Sequence, residues 1–316
     1  MYDTTKPYKQ QILVEIKKTW RGSLLEVKSN IYPIFYKKFQ KQAEVDHTDG
    51  IGTKGIYHWQ KRTFANAVQD ALAMNLNDLA LVLATPYKLQ NHIILPIDDH
   101  KAILSIIKAL SKQCQSRKIA LTGGETSIHN NSIGMDISMT VSGLITQNYQ
   151  NKFEVGDMVI GLASAGLHAN GFTKVRQIFG SHTRVDFTKP TLIYHQAILA
   201  ISKKFPIHGM MHITGGAFTK IKDLIKKQNI LINKSHKLIP QPIFYQLYHK
   251  NIADEEMYQT FNCGIGFILS VGRFDSAKVL AMLKRQGFTA DIIGQIKSGS
   301  GQVIIESMFS DKIVTY

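Results

Sequence analysis

Apolar and polar positions recur along this chain with two different periods, and the changes of period mark its elements. Near the start, Ile12, Leu13, Ile16 and Trp20 stand at helical spacing and predict a short amphipathic helix. Residues 60–84, QKRTFANAVQDALAMNLNDLALVLA, predict one long helix rich in Ala, Leu, Met and Val. Asn66, Asp70 and Asn77 fall near one face of it, since separations of four and seven residues are about one and two turns. The neighbouring faces are apolar. That polar stripe therefore has to be paired or face a ligand, unless it continues the charged flank at Lys61 and Arg62 into solvent. A third helix over 98–112 turns Ile103, Ile106, Ile107 and Leu110 inward.

Further on the period shortens. KIALTGGETS predicts a short apolar strand running into a glycine turn, and MDISMTVSGLI alternates like a half-buried strand. The polar run QNYQNKFEVGD, 147–157, is the expected boundary between a domain over 1–150 and another over 151–316. MVIGLAS restarts a strand at 158–164, and SAGLHANGFTKVRQIF is a glycine loop entering a helix. Helices are expected over 190–205, 217–228 and 276–286, and FNCGIGFILSV is a strand. No internal repeat is visible. Strands alternating with helices in both halves predict an α/β or α+β class.

Composition narrows the function. A length of 316 residues suits about two domains. No apolar run approaches the ~20 residues of a membrane span, and the first residues lack a signal core, so no membrane partner is expected. Cys114 and Cys263 are too far apart in sequence for metal-site spacing, and the expected compartment is a reducing cytoplasm. The formal charge of +15 fits nucleic acid or an anionic small molecule. The lysines are scattered, without a basic and aromatic ladder or a zinc finger, so a small-molecule partner is expected and nucleic acid is not.

Two stretches carry the chemistry. In HTDGIGTK, Gly50 and Gly52 let the backbone turn close to a ligand. Backbone amides and Lys54 suit phosphate there, and Asp49 suits Mg²⁺. In LTGGETS, Gly123 and Gly124 are expected to expose amides beside Glu125. A carboxylate beside phosphate needs a cation between them, so Asp49, Asp78 of NLNDL and Glu125 form a coherent Mg²⁺ set if the fold gathers them. SAGLHANGF and HITGGAF are glycine turns carrying His168, Asn170 and His212. There is no nucleophile elbow, no HExxH, no Walker loop and no dinucleotide fingerprint.

DGIGTK, NLNDL, LTGGET, VGDMVIGLASAGLHANGFTKVR, PTLIYHQAILAI, HGMMHITGGAFTKI and DEEMYQTFNCGIGF occur here in one order. That series resembles the phosphoribosylformylglycinamidine cyclo-ligase (aminoimidazole ribonucleotide synthetase) family from about residue 45 to 270. GGET and EEMYQTFNCGIGF separate it from relatives that share only the superfamily plan. The resemblance implies an N-terminal α/β domain forming a dimeric β-barrel, a C-terminal α/β domain, and an active site in the cleft between them. It implies ATP-dependent closure of formylglycinamidine ribonucleotide to aminoimidazole ribonucleotide, through phosphorylation of the amide oxygen. Another ATP-using enzyme of the superfamily, or a non-catalytic paralogue, is the alternative.

In that frame Asp49, Asp78 and Glu125 hold Mg²⁺–ATP, with Asp70 and Asn77 nearby. Lys54 neutralises phosphate beside Thr53 and the amides of Gly50, Gly52, Gly123 and Gly124. His168 and Asn170 touch substrate or nucleotide, and His212 moves a proton or binds phosphate. A homodimer is implied, with residues near 134–145 in its interface. Some segments depart from the family pattern. KSNIYPIFYKKF stands where the family has a glycine-rich stretch, LATP replaces GAEP, YKLQNHIILP follows it, and GGETSIHNNSIG is a shortened loop. Pro33 lacks an amide donor, so Lys37, Lys38 and His47 become the expected substitutes at the ribose phosphate.

Overall fold

The computed structural model describes residues 8–28, 34–39, 42–180 and 182–316. Residues 30–33 of NIYPIF, Pro33 included, lie outside that set. The chain divides into two compact units, Met1–Leu79 with Ala84–Asn148 and Ser181–Ile193, and Ala80–Leu83 with Tyr149–Gly180 and Tyr194–Tyr316. A single cut near residue 150 therefore misses the return of 181–193 to the first unit.

The first unit opens with α1 (Lys9–Lys18) and a two-stranded ribbon, β1 (Leu25–Lys28) and β2 (Ile34–Lys37). It continues through β3 (Ala43–Gly50), α2 (Gly55–Lys61), α3 (Phe64–Ala80), β4 (Ala84–Leu95), α4 (His100–Arg117), β5 (Ala120–Ile128) and β6 (Asp136–Ile145). The sheet order is β3-β6-β4-β5, and the crossover through α4 makes β4 and β5 parallel. Alternation buries Ile137, Met139 and Val141 on one face of β6, while Ser138 and Thr140 remain partly open on the other. Ile103, Ile106, Ile107 and Leu110 of α4 are buried, as their spacing predicts. Asp99 caps that helix by accepting from the Ala102 amide at 3.0 Å.

The long helix expected over 60–84 is broken. Arg62 ends α2 in the left-handed region at φ 57°, and His58 Nδ1 lies 2.8 Å from the Thr63 hydroxyl across the corner. From residue 84 the chain is already strand. Pro86 fits inside β4 because the register shifts there, between Pro86 and Lys88.

The second unit contains β7 (Met158–Ala163), α5 (Phe172–Phe179), α6 (His195–Ser202), β8 (Met210–His212), β9 (Gln228–Ile232), α7 (Pro242–Tyr248), α8 (Asp254–Thr260), β10 (Ile265–Val271), α9 (Ser276–Arg285), β11 (Ala290–Ser298), β12 (Val303–Glu306) and β13 (Ile313–Thr315). Its sheet runs β13-β12-β9-β11-β7-β10-β8. Every residue of β10 is buried, which accounts for its apolar run from Ile265 to Leu269. Over 217–228 the chain forms a 3₁₀ helix, Ala217–Leu224, and then enters β9. The helix expected over 190–205 is confined to His195–Ser202. Pro190 disfavours helix in the residue before it, and the carbonyls ahead of α6 are held by side chains of the first unit's helices.

Candidate active site

The HTDGIGTK segment leaves β3 at Gly50, passes through a 3₁₀ turn at Gly52–Lys54 and enters α2 directly. Gly52 takes φ +53°, where glycine is free of strain. Gly55 lies so close to the residue preceding β6 that a Cβ there would sit 1.8 Å from the Met135 carbonyl oxygen. The Asp49 carboxylate accepts the Gly50 amide at 2.7 Å, and its carbonyl accepts Asn75 Nδ2 at 3.1 Å. His47 lies 3.1 Å from Asp78 through Nε2 and 3.1 Å from Asn75 Oδ1 through Nδ1. The Asp78 hydrogen bond, with Asp49 adding charge, holds His47 above the ordinary histidine value. Asp49 and Asp78 therefore form one partly open anionic corner around an imidazole, beside the glycine turn.

Glu125 does not join them. Asp49 is on β3 and Glu125 on β5, the two edges of the four-stranded sheet. Three strand spacings separate them by about 14 Å, far beyond the reach of one Mg²⁺. Among the described residues no three His, Cys, Asp or Glu side chains gather as a metal would require. The three expected carboxylates are thus not gathered at one point within this chain. The turn expected at Gly123 and Gly124 is corrected. They lie inside β5, paired with Gln90 and Asn91, and do not form a turn. A Cβ on Gly124 would stand 2.6 Å from Asn91 Oδ1, so glycine there makes room for that side chain.

Lys54 is fully buried. Its ammonium lies 2.7 Å from Asp70 Oδ2 and donates to the Lys189 carbonyl at 2.6 Å. Asp70 also meets His58 Nε2 at 2.8 Å and accepts from the Thr191 amide at 2.7 Å and the Thr191 hydroxyl at 2.6 Å. Burial alone would raise the Asp70 carboxyl, but Lys54 and His58 hold it below the usual carboxylate range. In this structure Lys54 is therefore engaged inside the unit. The rest of the polar stripe has the same destination. Asn66 Nδ2 donates to the Thr188 carbonyl, Gln69 Nε2 to that of Thr191 and Asn77 Nδ2 to that of Leu192, each at 2.9 Å. Asp70 and Asn77 thus bind a strap of the chain's own backbone. The spacing revealed the stripe, but Gln69 and the identity of its partner were not readable from it.

In the second unit, two glycine loops meet. His168 sits at φ 59° and its Nε2 accepts the Ala165 amide at 3.1 Å. Gly266 leaves room for it, since a Cβ there would fall 2.6 Å from His168 Cε1 and 2.1 Å from the Tyr194 hydroxyl. Asn170 places Oδ1 beside Gly215 of the HITGG turn, and its Nδ2 is buried with no hydrogen-bond acceptor among the described residues. His212, on β8, is buried with its ring centroid 6.2 Å from that of Phe267. The proposed substitute cations are engaged elsewhere. Lys37 pairs with Glu44, and Lys38 Nζ donates to the Ser23 carbonyl at 3.2 Å.

Family models of the AIR synthase related protein match twice, the N-terminal domain over residues 35–145 and the C-terminal domain over 154–306. The phosphoribosylformylglycinamidine cyclo-ligase of Clostridium perfringens is 33% identical over 288 residues, covering 85% of this chain and 85% of that protein. The one from Saccharolobus solfataricus is 34% identical over 266 residues, covering 82% and 80%. Among solved structures, hydrogenase maturation protein HypE in complex with ATP superposes with a TM-score of 0.70 at 15% identity, covering 99% of this chain and 95% of that one, which is a likeness of fold.

Proposed function

The chain belongs to the phosphoribosylformylglycinamidine cyclo-ligase family, and on that premise we propose how its own residues serve the reaction. It is an ATP-dependent ligase of purine biosynthesis that closes formylglycinamidine ribonucleotide to aminoimidazole ribonucleotide. The observation that carries this is one-third identity sustained across 85% of the chain.

An amide oxygen is a poor leaving group. Moving the γ-phosphoryl of ATP onto it leaves ADP and turns that oxygen into a phosphate. The amidine nitrogen of the same molecule then bonds to the carbon, the C–O bond breaks and phosphate departs. Holding nitrogen and carbon together removes much of the entropic barrier. Asp49 and Asp78 would hold Mg²⁺, which would neutralise phosphate charge. The exposed Gly52 and half-buried Thr53 of the adjoining turn present backbone to the phosphates. Asn170 Nδ2, a buried donor with no acceptor among the described residues, serves an oxygen of the ribonucleotide, with His168 holding its loop. Lys54 and His212 act as positioning groups from the interior.

We further propose a homodimer through the first unit, with residues near 134–145 in the interface. The support is that β3 and β5 are unpaired sheet edges. Monodisperse monomer in light scattering sinks it. A reducing cytoplasm suits Cys114 and Cys263, both free and buried. The deciding experiment is incubation of purified protein with Mg²⁺, ATP and formylglycinamidine ribonucleotide. Aminoimidazole formation matched one to one by ADP and phosphate is expected; ATP turnover only with a different acceptor would point to another substrate.

A further inference from the structure

The face of the four-stranded sheet that carries Ser138 and Thr140 is polar across its width. Alternation brings Thr48 of β3, Ser138 and Thr140 of β6, Gln90 and His92 of β4, and Glu125 of β5 onto it. Their register is direct: Thr48 is opposite Thr140, Thr140 opposite Gln90, Ser138 opposite His92, and His92 beside Glu125. These six side chains line a pocket of about 360 Å³, together with Asn91, Gly124 and Met139. The Thr48 and Thr140 hydroxyls are 2.8 Å apart, and His92 Nε2 lies 3.0 Å from the Ser127 hydroxyl. The lining contains no lysine and no arginine.

That composition selects a ligand. A polyphosphate would meet Glu125 with no fixed cation to receive it. A planar cation with N–H groups along its edges would find a carboxylate able to take two of them, the geometry that makes such pairs strong. The Gln90 carbonyl and the threonine hydroxyls supply further acceptors. Outside the pocket lining, Asp136, two residues from Ser138 on β6, has a buried carboxylate oxygen with no donor among the described residues.

We infer that this pocket binds the amidine end of the ribonucleotide, with Glu125 pairing to the amidinium of the bound substrate and accepting its proton as the nitrogen attacks the carbon. The assignment rests on the ring-closure reading, because an amidine is the strongly basic, planar group of that substrate. It explains what Glu125 does once the sheet has set it apart from the Asp49–Asp78 corner.

The test compares wild type with Glu125→Gln and Glu125→Asp. Glu125 is exposed, so its variants are expected to fold, which thermal melting checks. Losing a charge-assisted pair should raise KM for the ribonucleotide in Glu125→Gln by about 10-fold or more, with KM for MgATP unchanged and partial recovery in Glu125→Asp. A rise confined to MgATP, or no rise, overturns the inference. A wild-type protein without turnover would fail the ring-closure reading, and titration with acetamidinium chloride then decides the pocket separately. Saturable binding that Glu125→Gln abolishes and sodium chloride does not reproduce upholds an amidinium site; absence of saturable binding overturns it.

Discussion

Two polar surfaces of the first unit have similar composition and opposite fates. On α3, Asn66, Gln69, Asp70 and Asn77 point at the backbone of 188–192, and each hydrogen bond is closed within the chain. On the open sheet face, Thr48, Gln90, His92, Glu125, Ser138 and Thr140 surround a pocket. The difference is burial. A polar group sealed from water must be paired when the chain folds, so the α3 stripe is committed in advance. A group still in contact with water can exchange that water for a ligand. Polar stripes read from sequence are therefore poor guides to binding until their exposure is known.

The sharpest way to break this comparison is Asp70→Ala. It takes the carboxylate away from the buried Lys54 ammonium, and the expected loss of stability is about 3–5 kcal/mol by urea denaturation. A loss below about 1 kcal/mol would mean that water reaches the strap, and the contrast with the open face would fall. Asn77→Ala removes one donor from the strap and leaves the Leu192 carbonyl without it, at an expected cost of about 1–3 kcal/mol.

The two histidines respond to pH in opposite directions. His58 is pushed below 6.5, first by burial, so its contribution is present above 6.5 and is lost as pH falls from there through its folded value. His47 is raised above 6.5, first by Asp78, so its contribution is full below 6.5 and is lost as pH rises through its folded value. NMR titration of the imidazole signals measures both, and Asp78→Asn should bring His47 back toward the ordinary value while leaving His58 in place. The smallest effect belongs to the open face. Gln90→Ala and Thr140→Ala should change stability by no more than about 0.5 kcal/mol, and larger losses would mark that face as structural.

The candidate site was legible where its signal is local. DGIGTK gave a turn because glycine tolerates φ +53° at Gly52, and the 3.6-residue period gave the buried faces of α3 and α4. The end of the strap was misread as helix because apolar spacing over 190–205 does not reveal that side chains more than a hundred residues away take its carbonyls. LTGGETS was misread as a turn because two glycines signal close approach without saying of what; here it is the Asn91 side chain.

By itself the sequence determined the family, the α/β class and the residue types available for phosphate and cation chemistry, since motif wording and periodicity are properties of neighbouring positions. Only the tertiary structure decided which charges are available. Sheet order separates Glu125 from Asp49 by two intervening strands, and burial commits Lys54 to Asp70. Both outcomes depend on distances and water exclusion between residues far apart in the chain, which no local pattern encodes.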